Sequence, residues 1–173
     1  MTDMDPRRGQ VQVDGAHASL HFVRRLRHGP ERVWAALTDP AELKRWYMAQ
    51  AEIDGRLGGS VAMTSGPAQF VWTGRILTWE PPRVFAYEFN AAPRPELPEG
   101  ETTIVRWELV AHGDETELRL THTRLTRPTA SGFAPGTHAL LDRLEAQLAG
   151  APLPGFVERY AEVQALYPRW AGA

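Results

Sequence analysis

The sequence predicts a single α+β domain, in which an antiparallel sheet is covered on its apolar face by one long helix near the C-terminus. Three observations predict it. Segments of period-two alternation recur through the middle of the chain and are separated by glycine and proline turns, the pattern of short half-buried strands. Leu140, Leu141, Leu144 and Leu148 form an apolar stripe at helical spacing on His138–Ala149, the one element long enough to cover such a sheet. The 173 residues show no internal repeat and no domain boundary, so these elements belong to one unit.

The elements follow in order. Residues 1–15 are polar and read as a flexible N-terminal tail. In His17–Arg27, Ala18, Leu20, Phe22 and Leu26 share one parity, which is a strand. Arg24 lies on that apolar parity, so it either snorkels from a strand end or faces a ligand or buried carboxylate as an inward cation. Pro30 and Glu31 suit a helix N-terminus, and Val33, Trp34 and Leu37 recur at helical spacing. Asp39 with Pro40 starts a second short helix, lined by Leu43, Trp46 and Tyr47.

From Ala51 the punctuation is that of a sheet. Ser60–Thr64 alternates, and Gly66-Pro67 turns the chain into Phe70–Trp79, where Trp72 and Ile76 share one parity and Leu77 and Trp79 the other, which a bulge near Gly74, its position left open, would reconcile. Pro81-Pro82 ends that strand, and Phe85, Tyr87 and Phe89 share a face of the next. Ala91–Gly100 holds three prolines and reads as a loop. Thr103, Val105, Trp107 and Leu109, then Leu118, Leu120 and His122, form the inner face of a hairpin, with Glu88 and Arg106 as an outer-face pair. Arg124–Pro135, which contains Phe133, reads as a polar loop before the long helix, and Gly150 as that helix's C-cap. Phe156, Val157, Tyr160, Val163 and Leu166 make a further amphipathic segment, so residues 151–173 are expected to pack as a helical extension on the domain or on a partner chain.

Composition excludes several functions. A net charge of −2 gives no positive field for nucleic acid. The absence of cysteine removes disulfides, thiolate metal sites and a cysteine nucleophile, and fits a cytoplasmic protein. No apolar run reaches the roughly 20 residues of a membrane span. There is no nucleophile elbow, phosphate loop or dinucleotide fingerprint. His17 and His21 share only a polar strand face, so neither a metal nor a cofactor is expected.

Several motifs taken together are specific. Pro30-Glu31-Arg32-Val33-Trp34, Leu37-Thr38-Asp39-Pro40 with Trp46, Arg56-Leu57-Gly58-Gly59, Gly74-Arg75-Ile76-Leu77 before Pro81-Pro82-Arg83, Thr116–His122, and Leu140–Leu144 with Leu148-Ala149-Gly150 occur in order. In that order and spacing, across about Ser19–Gly150, the chain resembles the START-like (SRPBCC, Bet v 1-like) superfamily, in its branch of activator of heat-shock protein 90 ATPase homologues. The resemblance implies a helix-grip fold over residues 16–150, with six to seven strands wrapped around the helix and a ligand cavity between them. Co-chaperone members carry a further N-terminal domain, whereas only Met1–Gly15 precedes the fold here.

Trp34, Trp46, Trp72, Tyr87, Trp107, Phe133 and Leu141 are then candidate pocket walls, since aromatic rings offer flat apolar area with a polar edge. His122 should point inward, either as a ligand contact and proton donor or as a core imidazole bonded to its neighbours. Many relatives carry Gly-Trp where this chain has Gly136-Thr137, so either the pocket is enlarged there or Phe133 fills the space. The leading expectation is binding of a small hydrophobic molecule that is lipid-, polyketide- or aromatic-like. The alternatives are a cofactor-independent cyclase or dehydratase working through His122, and a chaperone-associated or homodimeric interaction protein.

Overall fold

The computed structural model describes residues 5–95 and 97–170; the part of the expected tail before Asp5 lies outside them. Eight antiparallel strands form one sheet: β1 (Gln10–Asp14), β2 (His17–Leu26), β3 (Ala49–Ile53), β4 (Ser60–Ser65), β5 (Phe70–Glu80), β6 (Val84–Ala91), β7 (Glu101–His112) and β8 (Glu115–Thr126). Their order across the sheet is β1-β2-β8-β7-β6-β5-β4-β3. Two short helices, α1 (Pro30–Thr38) and α2 (Pro40–Trp46), join β2 to β3, while α3 (Arg127–Leu148) lies in the concave face and α4 (Phe156–Val163) packs on α3. This is the helix-grip arrangement, with one strand more than expected.

That additional strand is β1. Gln10–Asp14 was expected within a loose tail because its residues are largely polar, but its backbone pairs with β2 from Gln10↔His21 to Asp14↔His17. An edge strand needs no apolar face when its main chain is paired. The short helices begin as their residues dictate: Pro30 occupies the first turn of α1, and the Asp39 carboxylate accepts from Ala41 N–H at 2.9 Å to cap α2.

Two bulges shape the sheet. In β5 the extra residue falls between Ile76 and Thr78, where the parity of the strand changes. Gly74 is a point of close approach, where a Cβ would sit 1.6 Å from the Glu88 carbonyl oxygen. In β8 the register shifts opposite Ser19, where Arg124 adopts a φ of 68°. Such a bulge bends its strand, and here it immediately precedes the entry into α3. On the outer face, Arg106 donates to Glu108 on its own strand at 2.5 Å in place of the expected partner Glu88.

The long helix also departs from expectation. It begins at Arg127, so the segment read as a loop through Pro135 supplies its first turns. Pro128 fits the first turn, and the buried Ala130 and Ala134 are small enough to seat the helix in the sheet, so tertiary packing overrides the low helix propensity of Gly132, Pro135 and Gly136. At the other end, Gly150 with φ 68° closes the helix: its N–H donates to Gln147 O at 3.1 Å, and Ala151 N–H donates to Ala146 O at 2.9 Å.

Candidate functional site

The two halves of α3 differ in side-chain size. Its second half presents Leu141, Leu144 and Leu148 to the core, and is tied to α2 by Arg143, whose guanidinium donates to the carbonyl oxygens of Trp46 at 2.9 Å and Arg45 at 3.0 Å. Those carbonyls are the otherwise unpaired C-terminal groups of α2, where a cation is favoured. Its first half presents Thr129, Gly132, Phe133, Gly136 and Thr137, too small apart from Phe133 to reach the sheet. A cavity of about 960 Å³ remains there. That lies near the upper end of the range of about 300–1,000 Å³ usual for small-molecule sites.

The sheet supplies the floor of this cavity through Phe70, Tyr87, Phe89, Val105, Trp107 and His122. Each sits on the inward parity of its strand, so the period-two alternation that makes the sheet also makes the floor. At the rim, Tyr160 and Phe156 of α4 cover Gly136, with ring atoms 3.8 and 3.9 Å from where its Cβ would stand. The turn at Gly66–Ala68, Arg94 and Leu97 complete the rim, and the Arg94 guanidinium lies 5.0 Å from the Phe70 ring centre. No carboxylate is among the described residues that line the cavity.

Six of the eight candidate residues meet there: Trp46, Tyr87, Trp107, His122, Phe133 and Leu141. The other two do not. Trp72 is fully buried and stacked on Tyr87 and Phe89, with ring centres 5.2 and 4.2 Å apart, so those two rings lie against the faces it would otherwise present. Trp34 packs at the opposite end of the sheet against Trp79 and Phe85, at 5.1 and 6.1 Å. Parity says which face of a sheet a residue occupies but not how far along it lies, and this is why Trp34 and Trp72 could not be separated from the true lining. Phe70 and Phe89 line the cavity without having been singled out, although Phe89 shares its parity with Tyr87.

His122 is the principal polar group of the floor. It is 4% exposed, and its ring lies 5.0 Å from that of Phe89 and 5.2 Å from that of Phe133. Its Nε2 is 2.7 Å from Thr103 Oγ1, which donates to the Phe89 carbonyl oxygen at 2.9 Å. Burial lowers its pKa to about 3, so the ring is neutral near pH 7. Burial likewise pushes the phenols of Tyr47 and Tyr87 far above their ordinary value and keeps them protonated. The Tyr87 hydroxyl accepts from Trp107 Nε1–H at 3.1 Å, leaving its own proton to donate. The site thus offers neutral hydrogen-bonding groups set in aromatic walls.

Arg24 does not enter the cavity. It is 2% exposed and faces the second half of α3, donating to the buried Asp142 at 2.8 Å and to the half-buried Glu145 at 3.2 Å. Asp142 also accepts from Arg7 at 2.8 Å and from Arg159 of α4 at 2.6 Å. Beside it, His138 Nδ1 is 2.7 Å from the Tyr167 hydroxyl, which accepts from Gly9 N–H at 2.8 Å. One buried network therefore joins the N-terminal segment, β2, α3, α4 and the C-terminal segment. Among the described residues no cluster of histidine, aspartate and glutamate has the makings of a metal site.

A grip of antiparallel strands around one helix, with a largely apolar cavity between them, defines the START-like class. Within it, the chain belongs to the family described as Activator of Hsp90 ATPase homolog 1-like protein, whose model matches residues 27–149. Among solved structures, CalU16 from Micromonospora echinospora is similar with a TM-score of 0.71 and 25% identity, over 92% of this chain and 93% of that one. The protein encoded by gene BPP1335 of Bordetella parapertussis is 30% identical, with a TM-score of 0.67 over 90% of this chain and 86% of that one. A conserved protein of unknown function, EF2215 from Enterococcus faecalis, shares the fold at 15% identity, with a TM-score of 0.70 over 91% of this chain and 89% of that one. No curated protein matches the chain. No helix among the described residues is long and apolar enough to cross a membrane.

Proposed function

We propose that this protein binds a small, largely apolar molecule in the cavity beneath the first half of α3. The observation that carries the proposal is the cavity of about 960 Å³ with its aromatic floor and no carboxylate among its described lining residues. Burying a ligand there removes apolar surface at about 25 cal/mol per Å², and neutral hydrogen-bonding groups orient it without the desolvation cost of a buried charge. Membership of a superfamily rich in such binders supports the same reading. Native mass spectrometry of the protein incubated with a pool of fatty acids and fused-ring aromatics tests it. One retained adduct is expected, and the absence of any adduct overturns the proposal.

A cyclase or dehydratase is the second reading, favoured by the inward position of His122. Such an enzyme would lose turnover but keep ligand in His122→Ala. An imidazole with a pKa near 3 is a poor acid at neutral pH, however, and binding alone asks less of it. The homodimer reading loses support because Phe156 and Tyr160 lie against α3 within one chain. Light scattering is expected to give a monomer.

A further inference from the structure

The hydrogen bonds around His122 have a direction, and that direction selects a ligand. Thr103 has one hydroxyl proton. The Phe89 carbonyl oxygen, 2.9 Å away, can only accept, so the proton lies between these two oxygens. The opposite assignment would leave them facing each other at that distance with no proton between. Thr103 Oγ1 must then accept from His122 at 2.7 Å, which puts the imidazole proton on Nε2. Nδ1 becomes a neutral acceptor. No described residue donates to it, and the histidine that bears it lines the cavity while being 4% exposed overall. An acceptor in an aromatic floor that has no protein donor is one that a ligand hydroxyl or N–H can pair.

A donor stands in the same row of the sheet. Tyr87 pairs with Val105 across β6 and β7, and Val105 pairs with His122 across β7 and β8. The two residues are thus two strands apart on one face, a backbone separation of about 10 Å. The Tyr87 oxygen accepts from Trp107 Nε1–H, so its own proton is free to be donated. The floor therefore reads acceptor, apolar valine, donor, between the rings of Phe89 and Trp107.

We infer that the ligand is a flat aromatic molecule bearing a phenolic or enolic hydroxyl, which donates to His122 Nδ1, and a carbonyl toward Tyr87, with Thr103 as the positioning residue that fixes the histidine tautomer. This rests on the proposed binding function and adds to it the polarity of the ligand.

Three fluorescent probes separate the inference from the function beneath it: 6-acetyl-2-naphthol, its methyl ether, and 2-acetylnaphthalene, which lacks the oxygen. The naphthol is expected to bind at least about tenfold more tightly than the other two. In the near-isosteric Thr103→Val, a position outside the cavity lining, the three affinities should converge while 2-acetylnaphthalene still binds, which also shows that the variant is folded. Nitrogen NMR of the ligand-free protein should find the His122 proton on Nε2. Equal binding of all three probes by the unaltered protein overturns the inference and leaves the binding function standing; a proton on Nδ1 overturns it without any ligand. If none of the three binds, the aromatic-binding function fails and the inference fails with it.

Discussion

The second half of α3 is filled by leucine side chains and fastened by buried ions, whereas the first half is seated by Ala130 and Ala134 and leaves a cavity on the face that carries Gly132, Gly136 and Thr137. The same helix thus performs two tasks. Leu141, Leu144 and the Asp142 network hold the grip closed at one end, which allows Gly132, Gly136 and Thr137 to leave room at the other. A hollow core forgoes burial free energy, and the filled half has to compensate. The comparison teaches that stability and binding are separable along one helix, and substitutions in the two halves should separate them.

The largest effect is expected at Asp142. Removing its carboxylate leaves Arg24 with far less compensation in a buried position, so Asp142→Ala should destabilise by about 3–5 kcal/mol, measured by denaturant unfolding. Leu144→Ala, at a fully buried position, should cost about 2–5 kcal/mol and leave probe binding unchanged in whatever protein remains folded.

The pH dependence should be intermediate. Burial lowers the pKa of His122 to about 3 and that of His138 to about 4, the latter despite the Asp142 carboxylate 3.5 Å from its Nε2. The unfolded chain takes up these protons near the ordinary histidine value of about 6.5, so between there and pH 4 the unfolded state binds more protons and stability falls as pH falls. Each histidine contributes up to about 1.4 kcal/mol per pH unit. Unfolding free energies from pH 7 to 4.5 should show this slope, and it should be shallower in His122→Phe. Burial alone would raise the pKa of Asp142, but its hydrogen bond from Arg159 and its pairing with Arg24 outweigh this and lower it. Its stabilisation is therefore present above the ordinary carboxylate range and is lost at still lower pH. The smallest effect belongs to the exposed Arg25–Glu115 pair, where Arg25→Ala should change stability by less than about 1 kcal/mol in thermal unfolding.

How much of this was legible in sequence follows the same division. The filled half of α3 announced itself by its leucine stripe, and the inward direction of His122 followed from strand parity. The hollow half was read as a loop, because Pro128, Gly132, Pro135 and Gly136 are poor helix formers and only the packing of Ala130 and Ala134 reveals why a helix persists there. The role of Arg24 stayed open between solvent and a carboxylate, since its partner Asp142 lies 118 residues away. β1 was missed because its alternation is only two valines long, Val11 and Val13, within a polar N-terminal stretch, and Val13 is exposed, so the strand is held by main-chain pairing and not by an apolar face.

The most direct test of the hollow half is to fill it. Thr137 lines the cavity on α3, and Thr137→Trp places a large ring in the space without disturbing the leucines or the ion network. Fluorescence titration with 6-acetyl-2-naphthol, alongside denaturant unfolding of the same samples, reads binding and stability together. Saturable binding by the unaltered protein is expected, with its loss in Thr137→Trp at a stability within about 1–3 kcal/mol of the original. Undiminished binding in the folded Thr137→Trp protein would contradict the assignment of this cavity as the binding site.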